Sequence, residues 1–159
     1  MRIEINKQVR SPISPRLVEK IGRAFVSLVL VNWREVSLGI VGDSEIKKLN
    51  RRYRHHDQVT DVLSFAVSPD NFPAASVVTG GEIIICYPQA VRQAKAAGRP
   101  IAEEFSWLLI HGLLHLSGLD HEKSAKEAKI MARLEENLLS QIWRKKAKRG
   151  IIRQVKKSR

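Results

Sequence analysis

Apolar and polar positions follow two rhythms along this chain. In MRIEIN, Ile3 and Ile5 alternate with polar partners, which predicts a short strand. Ser14 before Pro15 reads as a helix cap with proline in the first helical position. Leu17, Ile21, Ala24, Phe25, Leu28 and Val29 then recur at helical spacing. Val36, Leu38 and Ile40 alternate again and predict a second strand. Gly42-Asp43 turns the chain, and Asp43 has the short acceptor side chain that caps a helix carrying Ile46, Leu49 and Tyr53. Residues 54–61, RHHDQVTD, are polar and irregular. A strand is expected over 62–67, a proline-containing loop over 68–79 and a strongly β-prone run over 81–87. Pro88 opens a helix that Gly98 closes, and Pro100 opens another through Phe105, Leu108 and Leu109 to Leu116, broken by Gly118. A last helix is expected from Ser124 to Trp143. About four strands and five helices in this order predict a single α+β domain. Its sheet is mixed, with helices on its faces.

Composition narrows the class. A chain of 159 residues suits one domain and buries a core without disulfides. The single cysteine, Cys86, excludes a disulfide framework and a cysteine-rich zinc site, so a reduced, cytoplasmic setting is expected. The first ten residues carry charge and no apolar signal core. The longest apolar run, Ala24 to Val31, is interrupted by Ser27 and too short to span a bilayer, so no membrane partner is expected.

Charge is unevenly placed. The chain holds 28 Lys+Arg against 16 Asp+Glu, a formal +12. Residues 144–159, RKKAKRGIIRQVKKSR, hold nine of the basic residues and no acid, leaving 19 against 16 elsewhere, a net of +3. The division expected is a domain over 1–143 and a basic tail over 144–159. Such a tail suits phosphate contact with counterion release, or a solvated end that aids solubility.

Three of five histidines fall within eleven residues, His111-Gly-Leu-Leu-His115-Leu-Ser-Gly118-Leu-Asp120-His121. His111 and His115 are four apart on a predicted helix, so both rings share one face, about 6 Å apart along the axis. Gly118 can take a positive φ and end the helix, letting the chain return His121 to the same point. Three neutral imidazoles leave a fourth tetrahedral position for water, the layout of a catalytic zinc site. Nitrogen donors suit zinc, with nickel or copper open on affinity alone. The spacing is also that of metzincin proteases, which carry a general-base glutamate after the first histidine. Here that position is Gly112. Asp120 either orients a ligand histidine or caps the last helix. His55 and His56 read as an exposed polar loop, and Thr60-Asp61 as structural support. Glu82 is a strand-end carboxylate that would face the cleft. Ser64 and Phe65 read as strand core, with an exposed Phe65 able to stack on a base.

The histidine segment resembles the HGxLHLxGxDH signature of the YbeY family of bacterial endoribonucleases. Asn50-Arg-Arg-Tyr53-Arg54 through Thr60-Asp-Val-Leu-Ser-Phe65 resembles the family's NxxYRxxDxxTDVLSF segment, and Gly81-Glu-Ile-Ile-Ile-Cys86 the strand that follows. Val59 stands where proline is usual, Glu82 where aspartate is usual and Leu119 where tyrosine is frequent. The resemblance implies a single-strand-specific, metal-dependent endoribonuclease. Its substrate would be rRNA, chiefly near the small-subunit rRNA 3′ end, with a part in ribosome quality control. It implies one zinc ion at His111, His115 and His121, Arg54 as the functional arginine, and rRNA and the small ribosomal subunit as partners. A guanidinium suits that role, being always charged and able to grip a phosphate through two donors. Two other readings stand beside it. One is a non-catalytic RNA- or ribosome-binding maturation factor with structural zinc. The other is a metzincin-like protease, which Gly112 disfavours.

Overall fold

The computed structural model describes residues 1–67 and 79–143, and within them the two rhythms become four strands and five helices. The strands are β1 (Arg2–Lys7), β2 (Glu35–Val41), β3 (Val62–Ala66) and β4 (Thr79–Cys86). The helices are α1 (Pro15–Leu28), α2 (Asp43–Arg54), α3 (Tyr87–Ala96), α4 (Ile101–Leu116) and α5 (Ala125–Trp143). The strands form one mixed sheet in the order β1-β2-β4-β3. β1 and β4 both run parallel to β2, while β3 pairs antiparallel with β4. The expected α+β class and mixed sheet are therefore present. The tail over 144–159 and the loop residues 68–78 lie outside the described residues.

Residue-level alternation sorts the core into two layers. On β4, Ile83 and Ile85 join the large core with α1, α4 and α5, while Ile84 and Cys86 join a smaller one with Ile46 of α2 and Leu63 of β3. Successive strand side chains point to opposite faces, so a strand covered on both sides reads as continuous apolar sequence. Helix α4 is apolar nearly all round, and such a helix belongs inside. It packs against α1, α3, α5, β3 and β4, and Phe105, Leu108, Leu109, Ile110 and Leu113 are fully buried. The helix that carries two of the histidines is thus anchored on five other elements, with His111 and His115 on its partly exposed face.

Several helix ends match their sequence signals. Ser14 Oγ accepts from the Leu17 N–H at 3.2 Å. Gly98 follows α3 at φ +62°. At α5 the cap is Ser124, read from sequence only as the first residue of that helix: its Oγ accepts from Glu127 N–H at 3.1 Å. Asp43 departs from expectation. The N-cap of α2 is Gly42, and Asp43 is the first helical residue, its carboxylate turned to Arg92 and Cys86. A second departure concerns Arg54, expected in an irregular loop but found in the last turn of α2. The arginines of that turn, Arg51, Arg52 and Arg54, suit the negative end of the helix dipole.

Candidate metal centre and its cleft

The end of α4 builds the centre. His111 and His115 lie one turn apart with ring centroids 4.6 Å from each other, and their Nε2 atoms approach to 3.1 Å. Gly118, at φ +93°, reverses the chain in a Schellman arrangement. Its N–H donates to the His115 carbonyl at 3.0 Å, and the Leu119 N–H to the Leu114 carbonyl at 3.2 Å. This return brings the His121 ring within 5.3 Å of His111 and 5.2 Å of His115, centroid to centroid. One nitrogen from each of the three rings then lies within 4.8 Å of the others.

Tautomers decide what these nitrogens offer. His111 Nδ1 lies 2.8 Å from Glu135 Oε1. A carboxylate only accepts, so Nδ1 carries the proton and Nε2 presents a lone pair. Glu135 is itself held, because its Oε2 accepts from Trp107 Nε1 at 3.2 Å. Burial holds the His115 imidazole below its ordinary pKa, and His111 and His121 push it the same way. A neutral imidazole is the ligating form. Two corners of a tetrahedral site with metal–nitrogen bonds of about 2.0–2.1 Å lie about 3.3–3.4 Å apart. The 3.1 Å approach of the two Nε2 atoms is close to that edge. Donor type, tautomer and spacing together fit one divalent cation.

Residue 112 faces the other way. A Cβ there would come 2.8 Å from Ile83 Cγ2 and 3.1 Å from Ser64 Oγ, because α4 rests directly on the sheet. No glutamate fits at this position, which removes the metzincin-type general base for a steric reason.

The histidines open into a cleft of about 560 Å³ that Arg54 and Tyr53 of α2 and Phe65 of β3 also line. The loop after α2 is pinned rather than loose. His55 takes a left-handed backbone at φ 59°, and buried Asn50 donates from Nδ2 to the Gln58 carbonyl at 2.8 Å. Lys47 and Arg51 pair with Asp57 at 3.7 and 3.9 Å in exposed, weak contacts. Arg54 is exposed in the cleft. Asp61 is structural support, as its sequence position suggested: it accepts from Val62 N–H at 2.8 Å and from Gln93 Nε2 at 2.9 Å. His55 and His56 are exposed and outside the cleft lining.

Two expectations change. Asp120 does not cap α5, a task Ser124 performs, and the carboxylate hydrogen-bonded to a histidine is Glu135. Asp120 Oδ1 instead accepts from Glu122 N–H at 3.0 Å, shaping the turn that carries His121. That backbone bond is the main reason its carboxyl sits below the usual range, with Lys123, His115 and His121 adding to it. Glu82 is exposed and absent from the cleft lining. Glu135 and Trp107 were not picked out in the sequence. The readable signal was an acid four residues after Met131 and three before Leu138, on the buried stripe of α5.

A protein-family model described as Endoribonuclease YbeY matches residues 4–143. The chain is 37% identical over 142 residues to the protein named Endoribonuclease YbeY of Persephonella marina, covering 89% of this chain and 92% of that one. It is 40% identical over 142 residues to the protein of that name from Dehalococcoides mccartyi, covering 79% of this chain and 89% of the other. Among solved structures, the solution structure of a Thermotoga maritima protein aligns with a TM-score of 0.61 at 27% identity, over 89% of both chains.

Proposed function

The chain belongs to the YbeY endoribonuclease family, and from that premise we propose that it is a zinc-dependent endoribonuclease acting on single-stranded rRNA. The proposed target is precursor rRNA near the small-subunit 3′ end, in the cytoplasm, in maturation and ribosome quality control. Its proposed partners are that rRNA and the small ribosomal subunit.

One observation carries this reading: three imidazole nitrogens converge in the same cleft as an exposed arginine. His111, His115 and His121 would hold one zinc ion. When bound, zinc supplies Lewis acidity and a water activated at neutral pH. Arg54 binds the scissile phosphate through its paired N–H donors and offsets the charge that grows on it. Glu135 keeps the His111 proton on Nδ1.

The test incubates zinc-loaded protein and its His115→Ala variant with purified small-subunit rRNA precursor and maps the ends produced. Discrete cleavage by the parent and none by the variant supports the nuclease. Binding without cleavage by either protein would favour a non-catalytic maturation factor. The tail over 144–159 is proposed to contact RNA phosphates. Deleting it should make binding fall less steeply with salt while zinc content stays the same. An unchanged salt slope would show that the tail does not touch RNA.

A further inference from the structure

The cleft holds an aromatic pair that the chemistry above leaves unused. Tyr53 and Phe65 meet edge to face at 5.0 Å between centroids, 65° between planes, and both line the cleft that contains His111 and His115. Tyr53 is 53% exposed, unusual for a large ring in a cleft where charged groups gather. Phe65 packs on the smaller core from its strand, and Tyr53 sits in the last turn of α2. The Arg52 guanidinium lies over one face of the Tyr53 ring, 5.4 Å from its centroid, and Arg54 follows in sequence. An exposed ring beside the arginine proposed to hold phosphate matches one repeating unit of a nucleic acid strand, a base beside its phosphate.

We propose that Tyr53, backed by Phe65, is a stacking platform for one unpaired base next to the phosphate held by Arg54. This rests on the ribonuclease reading and adds a subsite to it. Bases in a duplex are already stacked on each other, so only an unpaired nucleotide can lay its face on the ring. The platform therefore selects single strands at the cleft itself.

The test titrates zinc-loaded full-length protein with two labelled single strands of equal length, oligoadenylate and a stable abasic strand, and checks afterwards that the strands are intact. The wild type should prefer oligoadenylate. Tyr53→Ala should lose affinity for it by roughly 5- to 150-fold, the range that about 1–3 kcal/mol per stacked base converts to. Its affinity for the abasic strand and its salt slope should stay unchanged, because no phosphate contact is lost. Tyr53→Trp should restore the preference, which separates stacking from a general structural role. Equal binding of both strands by the wild type, or full oligoadenylate affinity in Tyr53→Ala, overturns the platform and leaves the nuclease standing. If the wild type binds neither strand, both readings fall.

Discussion

At the start of α2, Asp43 accepts from Arg92 at 2.7 and 3.0 Å and from the Cys86 thiol at 3.2 Å. At the end of α4, three histidines aim nitrogens at a common point. Both clusters join an element end to a helix, and both contain a group able to bind metal. Their chemistry differs because the first is closed. Arg92 holds the Asp43 carboxyl below its usual range, and burial pushes the Cys86 thiol up to about 12, so neither has unspent capacity at neutral pH. In the second, Glu135 takes the outward nitrogen of His111 and leaves the inward one free. A polar cluster becomes a candidate site when its own partners fail to satisfy it.

The largest effect that sharpens this contrast is loss of a ligand. Zinc near one equivalent per chain is expected by elemental analysis, and His115→Ala should remove most of it. Unchanged zinc in that variant would assign the site to other residues. Next comes charge reversal in the open cluster's cleft. Arg54→Glu should abolish precursor-rRNA cleavage with zinc content retained and stability changed by no more than about 0.5 kcal/mol. Normal cleavage would return Arg54 to the solvated face of α2.

Removing the outer partner should act more mildly. Glu135→Ala is expected to weaken zinc binding by roughly 10- to 100-fold in a chelator competition, with Glu135→Gln intermediate because its amide oxygen still accepts the Nδ1 proton. Equal affinities in all three proteins would mean that the carboxylate does not organise the site. The closed cluster should respond least. Arg92→Glu should cost about 1 kcal/mol or less in denaturant melts, since the pair is half exposed, and leave zinc and cleavage intact. Cys86 adds a pH signature. The unfolded thiol ionises near its ordinary 9.0 and the folded one near 12, so its contribution is complete below 9 and is lost as pH rises toward 12. The decline in stability over that window should be shallower in Cys86→Ser than in the parent, and identical slopes would show that the thiol is not held protonated.

What was legible from sequence shares one property: its cause lies within a few residues. The His111–His115 spacing, the positive φ at Gly118 and the Ser14 cap all depend on helix geometry, which local sequence dictates. The apolar runs identified all four strands for the same reason. Arg54 was legible as a candidate through its motif, while its place in α2 was hidden because it follows Tyr53, the last apolar position of the helical period. The order β1-β2-β4-β3 and the approach of α4 to Ile83 depend on which surfaces bury each other. Glu135 is the clearest case. It stands 24 residues from His111, and only the packing of α5 against α4 turns an acid on an apolar stripe into the hydrogen-bond partner of that histidine. Hydrogen-bond partners across that separation are chosen by three-dimensional packing, a property of the whole chain that no local window contains.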